Sequence, residues 1–396
     1  MSDFSAKEPA LGYLYQARYA LWLLLDGDEE KGLVLESLDD IVLETDGAPR
    51  DLLQTKHHIN QQARLTDSSP DLWKTLRIWS THFQDRRIDV GVTRLSLITT
   101  ASAPANSVAA FLRADGQRDC RAAQQRLLSI ATSSANAHLE PSFAAFVALA
   151  EDDQLALLRA MFVIDNSPGI LDVGDHIRRR IRAAVTREHR EAVFERLEGW
   201  WMAKVIEHLR ASAPQPVSGF EVYDKLAAIA EQFRPDALPI DFLDARPETI
   251  DPHGDNRLFV HQLRMIDLGK TRIEKAIIDY YRAFEQRSRW AREDLVVGGE
   301  METYEERLVD EWQRLSAAIT DEIPRDSQES YLRKTGRDIF NWMELTADIR
   351  IRPSVTEPYV MRGSYHILAN KPEPTVWWHP RFMERVAAVI GIGKEV

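Results

Sequence analysis

The feature that most constrains this chain lies near its start, where three short apolar runs carry carboxylates and end on a Gln-x-Lys triplet. They are Leu33-Val34-Leu35-Glu36, then Asp39-Asp40-Ile41-Val42-Leu43, then Asp51-Leu52-Leu53-Gln54-Thr55-Lys56. Runs of this length and composition predict strands. Side chains alternate faces along a strand, so Gln54 and Lys56 share a face and Thr55 takes the other. This spacing can bring a carboxylate, a neutral oxygen and an ammonium to one spot, a combination that suits a hard divalent cation bound to a phosphodiester.

The flanks extend the pattern. Gly12 through Leu25 spreads apolar and aromatic residues around a helix, and Asp26-Gly27-Asp28 ends it. Strands are expected at Gly32–Glu36, Asp40–Glu44 and Asp51–His57, the last two joined by a six-residue loop over 45–50. A polar loop rich in Asn and Gln leads to Thr66–Asp71, with Pro70 at the first turn of a helix carrying Leu72, Leu76, Trp79 and Phe83. Arg94–Thr100 reads as a further buried strand. The expected fold is therefore α/β, an αβββαβ core over residues 1–103, followed by a large, mostly α-helical region.

That succession, with Asp40 heading the second strand and Gln54-x-Lys56 on the third, resembles the PD-(D/E)xK nuclease superfamily and its restriction-endonuclease-like core. More narrowly, Gly12-x-x-Tyr15-Gln16, Glu36-x-x-Asp39-Asp40-Ile41 and Leu53-Gln54-x-Lys56 resemble the N-terminal double-stranded-DNA endonuclease domain of CBASS-type anti-phage effectors. The resemblance covers roughly residues 8 to 101 and implies Mg²⁺-dependent phosphodiester hydrolysis, with Mn²⁺ able to substitute. Mg²⁺ prefers octahedral oxygen coordination, lowers the pKa of its water and polarises a phosphoryl oxygen. Asp40 would supply the charged ligand, Gln54 a neutral amide oxygen, and the main-chain carbonyl of Thr55 a third. Glu36 would add a ligand or orient water. Lys56 would hold the attacking water and offset charge in the transition state. Gln16 on the first helix would support them from behind. Gln in place of Glu leaves one negative charge fewer, so metal binding should lean on bound DNA.

At 396 residues the chain is too long for one compact domain. The single cysteine, Cys120, excludes an internal disulfide and fits a reducing compartment. Met1–Glu8 lacks a basic segment followed by an apolar one, and the longest apolar run, Phe143–Ala150, is too short to span a membrane. A cytoplasmic protein without membrane attachment is expected. The net charge of -12 argues against a nucleic-acid binder taken globally, but phosphate contacts depend on local clusters. Arg178-Arg179-Arg180 is the best such cluster outside the strands; a solvated helix face paired with acids explains it equally well.

Residues 104–234 read as helical throughout, including Asp153–Phe162. The prolines at 235, 239, 247 and 252 mark a boundary before a C-terminal helical, partner-binding domain over 235–396. Helices are expected at Phe259–Phe284 and Glu302–Ile319, with Gln286–Glu300 between them. The aromatics of this region suit either an interface or a core. His366 and His379 have no ligand-spaced partner and read as structural. Thr356–His366 and Trp377–Phe382 resemble the C-terminal domain of Lamassu, an ABC/SMC-type three-component anti-phage system, and the whole chain its nuclease subunit. The resemblance implies an SMC-like ATPase subunit and a small third subunit as partners, restraint of the nuclease in that complex, and activation by release into a homo-oligomer. No Gly-x-x-x-x-Gly-Lys loop is present, so any ATPase belongs to a partner. Two other readings stand beside it: a catalytically inactive assembly subunit on a nuclease fold, and a self-sufficient restriction-type endonuclease.

Overall fold

The structure, a computed structural model, describes residues 7–58 and 62–385. The readings made on Met1–Ala6 and on Ile59–Gln61 lie outside the described residues. Contacts divide the chain into two units, residues 1–230 and 231–396.

The first unit is built on a mixed sheet. The helix α1 (Lys7–Asp26) precedes strands β1 (Gly32–Leu35), β2 (Ile41–Thr45) and β3 (Ala48–Lys56), then α2 (Pro70–Gln84) and β4 (Arg94–Thr99). This is the expected αβββαβ order. β1, β2 and β3 form an antiparallel meander, whereas β4 lies parallel to β3, as a helical crossover requires. Val42, Leu52, Leu95 and Leu97 share one core with Leu72, Trp73, Leu76 and Trp79 of α2. Alternation sends Leu33, Ile41 and Leu53 to the other face, where α1 packs.

Two strands lie within the region expected to be helical, one at the end of an expected helix and one just after the break at Ala213–Pro216. After α3 (Val108–Phe111), α4 (Cys120–Ser133), α5 (Glu140–Val147) and α6 (Glu151–Ala160), the chain enters β5 (Met161–Ile164), parallel to β4. The helix thus stops before Met161, and Met-Phe-Val-Ile, an apolar run with two β-branched residues, completes the sheet. Beyond α7 (Ile170–Ile181) and α8 (Arg190–Arg210), the two-residue β6 (Val217–Ser218) pairs antiparallel with β1 and leads into α9 (Gly219–Glu231). The sheet order is β5-β4-β3-β2-β1-β6. The β2–β3 connection is also tighter than expected. β3 starts at Ala48, leaving Asp46-Gly47 as a two-residue turn with φ of 53° and 71°. Positive φ at both positions is the hairpin geometry that an Asp-Gly pair favours.

The second unit is helical: α10 (Leu258–Met265), α11 (Lys270–Arg292), α12 (Glu300–Thr320), α13 (Glu329–Leu345) and α14 (Pro358–Ala369). Phe259–Phe284 is two helices rather than one, broken at Asp267 (φ 58°), and α11 runs on to Arg292, into the segment expected to lie between helices. α11 and α14 pack so closely that a Cβ at Gly363 would collide with the Asp279 carbonyl. Trp290, Tyr304, Trp378, Tyr365, Phe259 and Phe340 are fully buried, so the aromatic density is mainly core. His366 is 1 % exposed against Phe259, Phe340 and Trp378, and burial drives its pKa down to about 3. His379, buried, lies 3.4 Å from Glu329. Among the described residues no helix is long and apolar enough to cross a membrane.

Candidate metal centre

β3 runs past the start of β2: the ladder ends at Ile41 opposite Leu53, leaving Gln54, Thr55 and Lys56 beyond it. Asp40 stands at that point. Its Oδ2 accepts hydrogen bonds from the Thr55 main-chain N–H (2.7 Å) and the Thr55 hydroxyl (3.0 Å), so the carboxylate takes the place of a missing strand partner. The carboxylate lies directly beside the Gln54–Lys56 segment. Leu52 belongs to the α2-side core, and alternation carries Gln54 and Lys56 to that same side; Asp40, which precedes β2, meets the strand through the Thr55 N–H and hydroxyl.

Gln54 is 3 % exposed, and its Oε1 has no hydrogen-bond partner among the described residues. A buried amide oxygen without a donor costs roughly 1–3 kcal/mol, so it demands an explanation. An orphan oxygen alone is not a site, since Gln262 in the second unit carries one too. What sets Gln54 apart is its place in the strand, one position before the Thr55 that holds Asp40 and on the same face as Lys56. The Thr55 carbonyl faces the same way. Lys56 C=O accepts from Thr100 N on the β4 side (3.2 Å), and main-chain groups alternate, so Thr55 directs both N–H and C=O to the Asp40 side.

The turn from Glu36 to Asp40 holds the carboxylate in place. The Asp40 carbonyl accepts from Glu36 N (3.1 Å) and from Gln16 Nε2 (2.5 Å), so α1 reaches the Asp40 main chain. Glu36 has φ 48°, a conformation unusual for a residue with a side chain. It sits exposed at the rim. Its carboxyl is partly shielded from water, and this raises its pKa along with the nearby Asp40 charge, while a hydrogen bond from Gln16 and the Lys56 charge pull it down. Its β1 neighbour Leu35 donates its N–H to Nε2 of buried His208 (3.0 Å), which therefore has to be unprotonated there; burial lowers its pKa.

Asp39 takes a different route from Asp40. It is 8 % exposed and turned into the core, where Oδ2 accepts from Trp79 Nε1 (2.5 Å) and Oδ1 from Asp40 N (3.0 Å). Burial pushes its pKa up to about 7 against the pull of the indole N–H. Nothing in the sequence marked this pair, whose members lie forty positions apart. His57 and His58 are engaged elsewhere: His58 lies 2.8 Å from Asp71, and His57 Nε2 is 3.4 Å from Ile170 N.

The arginine cluster is far less available. Arg178 forms a two-point pair with Glu191 and covers the Phe194 ring, and Arg180 pairs with Asp26; Arg179 is exposed and has no such partner among the described residues. Among the described residues no three His, Cys, Asp or Glu gather as a metal cluster. The donor set here is instead mixed: one carboxylate, an unsatisfied amide oxygen and a main-chain carbonyl, with Glu36 at the rim. All are hard oxygens, which fits Mg²⁺ better than a softer ion.

Residues 259–386 match a known family, C-terminal domain 7 of the ABC-three component (ABC-3C) systems. The match spans the helices of the second unit and well under half of the chain. Among curated proteins, none matches.

Proposed function

We propose that this chain, whose residues 259–386 match a C-terminal domain of the ABC-3C systems, is the Mg²⁺-dependent double-stranded-DNA endonuclease of a Lamassu-type anti-phage assembly. The observation that carries the reading is the buried Gln54 oxygen, without a donor among the described residues, one position before the Thr55 that holds the Asp40 carboxylate and on the same strand face as Lys56. When bound, Mg²⁺ would polarise the scissile phosphate and make a water acidic enough to attack it. The protein's own part is positioning and charge. Asp40 keeps one oxygen on Thr55 and leaves the other to coordinate; Gln54 and the Thr55 carbonyl add neutral oxygens. Lys56 brings the positive charge that the phosphoryl group needs as negative charge develops on it. Gln16 and Thr55 hold the Asp40 main chain and carboxylate, so little reorganisation is required. An SMC-like ATPase and a small third subunit are the proposed partners, with restraint in their complex and activity on release into a homo-oligomer.

The competing reading is an assembly subunit that has kept the fold and lost the chemistry. It is favoured by the net charge of -12 and by the engagement of Arg178 and Arg180 with acids. Nicking of supercoiled plasmid by the free chain and by the reconstituted complex, with Mg²⁺ and with EDTA, decides between them. Metal-dependent nicking that Lys56→Ala abolishes supports the nuclease. Protection against phage that survives Lys56→Ala supports the inert subunit.

A further inference from the structure

The contacts around the Glu36–Asp40 turn assign a role to two residues outside the donor set. We infer that Asp39 and Trp79 form a clamp that positions Asp40 for its metal, an inference that rests on the nuclease reading above. Asp40 is held at three points: its N–H by Asp39 Oδ1 (3.0 Å), its C=O by Gln16 (2.5 Å), and its carboxylate by Thr55 (2.7 Å). Two of these anchors come from α1 and β3. The third traces to α2, because Asp39 is itself fixed by the Trp79 indole at 2.5 Å. Trp79 is fully buried in the α2 core, so it offers a rigid donor. His82, one turn along the same helix, lies 2.9 Å from the Leu38 carbonyl and ties down the turn at a second place. Asp39 is therefore a positioning residue, acting on the metal through Asp40.

Each Asp39 oxygen accepts one N–H, and this makes the clamp testable by its sign pattern. Asp39→Asn must turn its own NH₂ toward either Asp40 N–H or the indole N–H. Trp79→Phe leaves a buried carboxylate oxygen without its donor. In the double variant the Asn oxygen stays on Asp40 N–H, and its NH₂ meets a ring edge with no opposing donor. Mn²⁺ binding followed by electron paramagnetic resonance, with a short DNA duplex present, should show each single variant weakening binding about tenfold, the usual loss when a group supporting a ligand is removed. The double variant should bind better than Asp39→Asn alone. Hydrogen exchange at Asp40 and Ile41 should follow the same order with no metal added.

Single-variant losses that simply add in the double variant would overturn the clamp, as would single variants that bind Mn²⁺ like the parent protein. A parent protein that takes up no Mn²⁺ and cuts no DNA, alone or in complex, overturns the nuclease reading and the clamp's role together. The two failures are thus told apart.

Discussion

Gln54 and Gln286 are both buried glutamines, 3 % and 0 % exposed, and the two units treat them in opposite ways. In the helical unit Gln286 is fully engaged. Its Oε1 accepts from Asp241 N (2.7 Å) and the Tyr359 hydroxyl (3.0 Å), while its Nε2 donates to Pro239 O (3.0 Å), beside the Trp290 indole on that same carbonyl. Such a residue locks a loop onto a helix. In the sheet unit the Gln54 oxygen is buried and unanswered among the described residues, on a strand segment that also carries Lys56 and holds the Asp40 carboxylate through Thr55. The contrast teaches where to look for chemistry. A satisfied buried amide explains structure; an unsatisfied one in charged company awaits a ligand.

The contrast can be broken by substitution. The largest expected effect is on cleavage: Lys56→Ala or Asp40→Asn should lower plasmid nicking at saturating Mg²⁺ by about 10²–10³-fold, with the melting profile little changed. Next comes the matched pair of glutamines. Gln286→Leu strips the Tyr359 hydroxyl of its acceptor and frees the 239–241 loop, costing about 2–3 kcal/mol in denaturant unfolding. Gln54→Leu should cost less stability than that while abolishing metal-dependent nicking. Equal stability losses at the two sites would erase the distinction.

A smaller effect separates the units by pH. His366 has its pKa lowered to about 3 by burial, so between there and its ordinary value near 6.5 the unfolded chain binds the proton and the folded one does not. Stability from this residue is complete above about pH 6.5 and declines as the pH falls, by at most about 1.4 kcal/mol per unit. Asp279, raised to about 6 by burial, tilts the curve the other way over part of that range. The informative quantity is therefore the difference between parent and His366→Leu, which should lose the acid-side decline in thermal unfolding at pH 5 compared with pH 7.5. The smallest effect is at the hairpin: Gly47→Ala, at φ 71°, should cost about 1 kcal/mol by the same measurement.

How much of this was legible follows from the range of the interactions involved. The αβββαβ order shows in the sequence because each element carries its own periodicity, and alternation alone puts Gln54 and Lys56 on one side. β5 and β6 did not show, since four and two residues carry no period and become strands only because an existing sheet edge receives them. The Asp46-Gly47 turn was readable from its dipeptide, but Pro49 drew the expected start of β3 to Asp51. In the second unit, a wealth of aromatics cannot tell core from interface; packing decided for core at Trp290, Tyr304 and Trp378. The direction of Asp39 was invisible for a related reason. Its donor, Trp79, reads in sequence as one more apolar position on α2.

The uneven ends of β2 and β3 have one last consequence. Because the third strand overhangs the second, the site occupies a gap that one more rung of pairing would close. Were the hairpin to zip up past Ile41, an ordinary backbone neighbour would occupy the Thr55 N–H and C=O and displace the carboxylate. The notch and a closed sheet edge are thus separated by a single step in strand length, and insertions or deletions between Glu36 and Ile41 should be tolerated least of any in this unit.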